Sequence, residues 1–147
     1  MANSSLTIIP KLAKLSPSVI SILGLNPSPM TLRGTNTYII GKGKRRILLD
    51  TGDGQQPEYF LNLKKSLDNN CITIRDVILS HWHYDHVGGI AEVLKSTEVS
   101  NGLEKTIKLY FISKITLLPL LIFFRKHAEC LNFHEQMTKK PFRKIFH

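Results

Sequence analysis

The chain has 147 residues, 42% of them hydrophobic, and a formal net charge of +9 from 20 basic and 11 acidic side chains. Its two cysteines, Cys71 and Cys130, exclude a disulfide framework, and no secretory signal precedes them, so a reduced intracellular compartment is expected. The uncharged apolar run 115–124 is ten residues long, too short for a bilayer that needs about 20.

Residues 1–19 contain no acidic side chain, four serines, Lys11 and Lys14. That composition fits a mitochondrial transit segment, although it lacks arginine; the alternative is an ordinary N-terminal helix or strand. Residues 18–23 read as the first strand, ended by Gly24. Residues 26–35 form a loop bearing Pro and Gly. Strands at 36–40 and 46–49, joined by the turn 41–44, predict a hairpin over 36–50. Pro57 suits a first helical turn, and 59–67 continue as an amphipathic helix with Phe60, Leu63 and Leu67 toward the sheet. Cys71 precedes an apolar strand and is expected to be a small buried hydrophobe. The strand at 76–79 follows, and then the most informative stretch of the chain.

His81-Trp82-His83-Tyr84-Asp85-His86 places three imidazoles and a carboxylate within six residues, at spacing H-x-H-x-D-H. A chance histidine cluster on an exposed loop would have no reason to fall between an apolar strand and a Gly-Gly-helix start. Strand ends are where α/β proteins carry chemistry. Imidazole nitrogen and carboxylate oxygen suit zinc, and they also accept iron or manganese. The string is too short to fold all four side chains onto one ion without strain. Two ions solve that, His81 and His83 leaning to one, Asp85 and His86 to the other; such a pair can clamp an in-line displacement. Gly88 and Gly89 let the backbone pass close by and open a helix at 90–96, with Ile90, Val93 and Leu94 on one face.

The string 80–89, Ser-His-Trp-His-Tyr-Asp-His-Val-Gly-Gly, resembles the ligand motif of the metallo-β-lactamase superfamily. Ile47-Leu48-Leu49-Asp50-Thr51-Gly52 resembles its first motif. The loop 26–38 is similar to that of a branch of metal-dependent RNA hydrolases found in mitochondria. The resemblance covers about residues 16–97. It implies an α/β fold, the N-terminal half of an αββα sandwich with a mixed sheet and flanking helices. It also implies zinc at His81, His83, Asp85 and His86, Asp85 orienting the attacking water, and Asp50 supporting the ligands from beneath the loop. Single-stranded RNA is then the expected substrate and the mitochondrial matrix the expected location, with the cytoplasm as alternative. A thioesterase of the glyoxalase II type uses the same ligand string and is the second enzymatic reading.

The superfamily's later motifs, a Pro-Gly-His and a bridging Asp in a Gly-Asp context, do not occur after the ligand loop. The expected organisation is an N-terminal segment at 1–15, with targeting as one reading of it, a partial domain at 16–100 and a divergent tail at 101–147. A readthrough or splice-derived origin is expected for that tail. Two zinc ions are expected in the family, one or none held tightly here. The non-enzymatic alternative is a metal-poor product that pairs with a second copy or a full-length homologue through an uncovered sheet face carrying Ile39, Ile47, Leu49 and Ile78. The tail holds 9 basic and 3 acidic residues against 11 and 8 in 1–100, so most of the basic excess lies outside the resemblance. Membrane association through 108–126 is the less favoured reading. His127, Cys130 and His134 are expected to be a coincidence of spacing rather than further ligands.

Overall fold

Short apolar runs at 38–40 and 47–49, and glycines at 41 and 43 with positive φ, turn 36–49 back on itself as anticipated. In the computed structural model, which describes residues 7–98 and 107–111, this hairpin lies near the middle of a six-stranded sheet. The strands are β1 (Leu12–Ser16), β2 (Val19–Leu23), β3 (Asn36–Ile40), β4 (Arg45–Leu49), β5 (Thr73–Leu79) and β6 (Lys108–Phe111). They lie in sequence order across the sheet. The first four are antiparallel, and β4, β5 and β6 run parallel. Parallel neighbours need a crossover. Helix α1 (Pro57–Asn69) provides the first; α2 (Tyr84–Val87) and α3 (Ile90–Glu98) lie within the second.

The register explains which residues form the core. Ile20 pairs with Ile39, Ile39 with Leu48, Leu48 with Val77, and Val77 with Leu109, so one apolar row crosses the sheet. The helices cover this row: Tyr59 and Leu63 from α1, Val87 from α2, and Ile90 and Val93 from α3 join it in one buried cluster. The neighbouring row, Tyr38, Leu49, Ile78 and Tyr110, points the other way and is half-buried. A register shift between Arg46 and Ile47 leaves Arg75 without a partner, and so puts both Ile74 and Val77 of β5 on the helix side.

Four expectations change. Ile39 belongs to the helix-side core and not to the open layer, because strand parity separates it from Ile47, Leu49 and Ile78. Helix α1 turns Tyr59 inward, fully buried, while Phe60 and Leu67 pack at the core's margin. The Tyr59 hydroxyl donates to Thr37 Oγ1 (3.1 Å), and burial pushes its pKa upward. Cys71 is exposed, at φ 49° in the turn between α1 and β5. One strand was left open against a helix or a transit segment, and one was not anticipated. Residues 12–16 form the edge strand β1, and 108–111 extend the sheet as β6. Among the described residues, no helix is long and apolar enough to cross a membrane. The run 115–124 and residues His127, Cys130 and His134 lie outside the described residues.

Candidate metal centre

Strands β4 and β5 end side by side, and the candidate residues sit on their C-terminal ends. Asp50 follows β4 in the left-handed region (φ 60°), a conformation that Asp adopts at lower cost than most side chains. Its backbone N–H donates to the Ile78 carbonyl of β5 (2.9 Å), and its side chain is buried beneath the next loop. There the carboxylate accepts three hydrogen bonds: from the Ser80 N–H (2.8 Å), from Ser80 Oγ (2.7 Å) and from His86 Nδ1 (2.8 Å).

The loop itself closes on short-range bonds. His83 lies at the N-terminus of the four-residue α2, and its carbonyl accepts from the N–H groups of His86 and Val87. Sequence reading placed the whole string on a loop; residues 84–87 instead wind one helical turn, which brings His86 back over Asp50. The His86 carbonyl accepts from both Thr51 N (2.8 Å) and Thr51 Oγ1 (3.0 Å). Gly88 and Gly89 then cross the 51–54 segment so closely that a Cβ on Gly89 would strike the Thr51 carbonyl and one on Gly88 the Asp53 carbonyl. The expected close backbone passage is therefore found, and it locks the loop to the Asp-Thr-Gly turn.

The four donor side chains are brought together. His81 Nε2 lies 2.9 Å from His83 Nδ1, and His86 Nε2 lies 3.2 Å from Asp85 Oδ2. The His81 ring centroid is 4.7 Å from that of His83 and 4.1 Å from that of His86. Two donors held about 2.0–2.1 Å from one tetrahedral ion stand roughly 3.3 Å apart, so each pair has the spacing of one edge of such a site. The outer nitrogens are already committed: His81 Nδ1 contacts Ser80 Oγ (2.9 Å) and His86 Nδ1 meets Asp50. This arrangement fixes ring orientation as outer partners do in metal sites. Among the described residues, however, no three of these side chains gather around a single point where one ion would sit. The four side chains form two close pairs, His81 with His83 and Asp85 with His86, each with the chemistry of metal donors, and not a closed site.

The electrostatics differ along the string. Burial lowers the His81 pKa, and the nearby His86 and His83 lower it further. Burial also works to lower that of His86, but its hydrogen bond to Asp50 and the charges of Asp50 and Asp85 outweigh it, and the pKa is raised. Three partners were not legible beforehand: Ser80, Thr51 and Thr35. Thr35 Oγ1 donates to Asp85 Oδ2 (2.7 Å) across 50 residues of sequence, so no local pattern could announce it. At the rim, Trp82 and Tyr84 are 46% and 44% exposed, and the Trp82 ring lies 4.8 Å from that of His83.

Comparison with known proteins bears on the fold and the family. The chain is 49% identical over 89 residues to a beta-lactamase-like protein 2 homolog from Drosophila melanogaster, an overlap of 60% of this chain and 30% of that protein. It is 43% identical over 93 residues to an atrochrysone carboxyl ACP thioesterase, nsrC, from Aspergillus novofumigatus, covering 63% of this chain and 29% of the relative. Among solved structures, a metallo-beta-lactamase from Pontibacter korlensis superposes with a TM-score of 0.53 at 20% identity, over 80% of this chain and 47% of that one. The chain thus spans about 30% of the length of the curated relatives it matches. The family match extends over residues 30–121, which corrects the expectation that the resemblance stops near residue 97 and carries it through β6. The Asp-Thr-Gly turn and the donor loop both fall inside that match, and the chain belongs to the metallo-beta-lactamase superfamily.

Proposed function

We propose that this chain carries the metal-binding loop of a metal-dependent hydrolase that cleaves phosphodiesters of single-stranded RNA. The observation that carries the reading is the clustering of His81, His83, Asp85 and His86 on a loop braced by Asp50. Members of the superfamily usually bind zinc. His81 and His83 would hold one ion, Asp85 and His86 a second. Bound zinc supplies Lewis acidity and lowers the pKa of water. The chain's own residues do the rest. Asp50 holds the His86 ring by Nδ1 so that Nε2 faces the site, and Ser80 does the same for His81. Asp85 would also orient the attacking water. Exposed Trp82 and Tyr84 offer flat faces on which unpaired bases can stack, a sequence-tolerant contact.

A second reading, hydrolysis of an acyl thioester, is supported by the relatives named as thioesterases. Both reactions need the same loop, so the substrate distinguishes them. Purified protein with added zinc should cleave single-stranded RNA, and His83→Ala should abolish it. Turnover of an acyl thioester with RNA left intact would decide for the second reading. Turnover of neither would leave the chain a non-catalytic member of the family. The location follows the same reading: we place the protein in the mitochondrial matrix, and an import assay that leaves it outside would refute this.

A further inference from the structure

The structure assigns Thr35, held by Asn26, as a positioning residue for metal binding at Asp85. This inference rests on the metal-site reading above and deepens it. The loop that leaves β2 returns to β3 at a clip between Asn26 and Thr35. Thr35 N donates to Asn26 Oδ1 (2.8 Å), Asn26 Nδ2 donates to Thr35 Oγ1 (3.2 Å), and Gly24 N donates to the Thr35 carbonyl (2.7 Å). The first of these bonds fixes which end of the Asn26 amide is oxygen, and so makes its NH2 the donor to the Thr35 hydroxyl. A hydroxyl has one proton. With Asn26 filling an acceptor position, that proton is directed at Asp85 Oδ2, 2.7 Å away.

The surroundings are shaped for this clip. A Cβ on Gly24 would come to 2.9 Å from Asn26 Oδ1. Gly34 has φ 128°, and a Cβ there would come within 3.2 Å of the same oxygen. Both glycines leave the room that the Asn26 side chain occupies. Thr35 is 5% exposed, so its hydroxyl is shielded from competing water. Asp85 sits on the single helical turn 84–87, and the Thr35 bond ties its carboxylate to the residue that precedes β3. The carboxylate is thus presented in one orientation, with Oδ2 beside His86 Nε2. Partners of this kind around a metal ligand alter metal affinity by about 10–100-fold.

The test is zinc affinity of the 147-residue chain by chelator competition, together with the visible spectrum of the cobalt-substituted protein. Thr35→Val, which keeps the shape and removes the hydroxyl, should weaken zinc by about 10–100-fold and alter the cobalt bands. Thr35→Ser should restore both. In an Asp85→Ala background, Thr35→Val should cause no further loss. If Thr35→Val does not fold, Asn26→Asp serves instead: it exchanges the amide donor for an acceptor, turns the Thr35 proton away from Asp85 and should likewise weaken zinc. Wild-type affinity in these variants, with zinc weakened by Asp85→Ala, would overturn the inference while leaving the metal site standing. Equal losses with and without Asp85 would show a general loosening and overturn it too. No zinc binding that depends on Asp85 would refute the metal-site reading itself, and the inference with it.

Discussion

Asp50→Asn tests the scaffold beneath the donor loop with little change of shape. Asn tolerates the left-handed backbone that Asp50 adopts, so the substitution isolates the carboxylate's charge and acceptor capacity. One oxygen, Oδ2, accepts from both Ser80 Oγ and His86 Nδ1. An amide NH2 in that place accepts neither; the serine hydroxyl can turn to become an acceptor, but the His86 Nδ1 proton loses its partner. A hydrogen bond to a charged group is worth about 1.5–3 kcal/mol, and that range is the expected loss. Asp50→Ala removes all three bonds from a buried position and should cost about 3–5 kcal/mol, as when one partner of a buried pair is deleted. Against a net stability of roughly 5–15 kcal/mol, either change shows in urea unfolding of the metal-free chain, with a midpoint lowered by about 1 M for Asn. The pH dependence has a definite sign. The raised His86 pKa means that the Asp50–His86 pair contributes fully below the unfolded value near 6.5 and fades as pH rises through the folded value. The Asn penalty should therefore be larger at pH 6 than well above that raised value. A variant as stable as wild type at pH 6, or a penalty that grows with pH, would refute the reasoning.

Gly89→Ala forces a methyl group against the Thr51 carbonyl, so the backbone must move; we expect a loss of about 1–3 kcal/mol or more in thermal unfolding, and a far smaller one for Gly43→Ala, whose Cβ would meet no atom within 4 Å but which strains φ. His81, with its lowered pKa, acts opposite to His86: its contribution is present above about pH 6.5 and is lost as pH falls, so His81→Gln should make the metal-free chain relatively more resistant to acid. The half-buried row Tyr38, Leu49, Ile78 and Tyr110 should drive association of the chain. Ile78→Lys is expected to shift its sedimentation toward monomer, and identical profiles would count against an interface on that face.

The elements that were legible beforehand share a strong local pattern. The 36–49 hairpin shows two short apolar runs flanking two glycines, and α1 begins at a proline. Strand β1 could not be told from a helix or a transit segment, because an edge strand with mostly exposed side chains has little hydrophobic signal. Strand β6 escaped for the opposite reason: it opens a long apolar run in which no period stands out. Ile39 was placed on the wrong layer because alternation shows that a strand has two faces, not which one the helices cover. At the site, the donors were visible because all four lie within six residues. Asp50 was found through the resemblance, and the structure shows its physical role. The Thr35 and Thr51 contacts depend on distant segments meeting, and sequence spacing holds no trace of that.

Zinc content of the purified 147-residue chain, by elemental mass spectrometry after equilibration with zinc, tests the central claim most directly. The account predicts zinc retained by the wild-type chain and lost when His81, His83 and His86 are all replaced by alanine. Equal zinc in the two proteins would contradict it: the loop would then be a histidine cluster held in place by Asp50 and Ser80, without the metal on which the proposed chemistry depends.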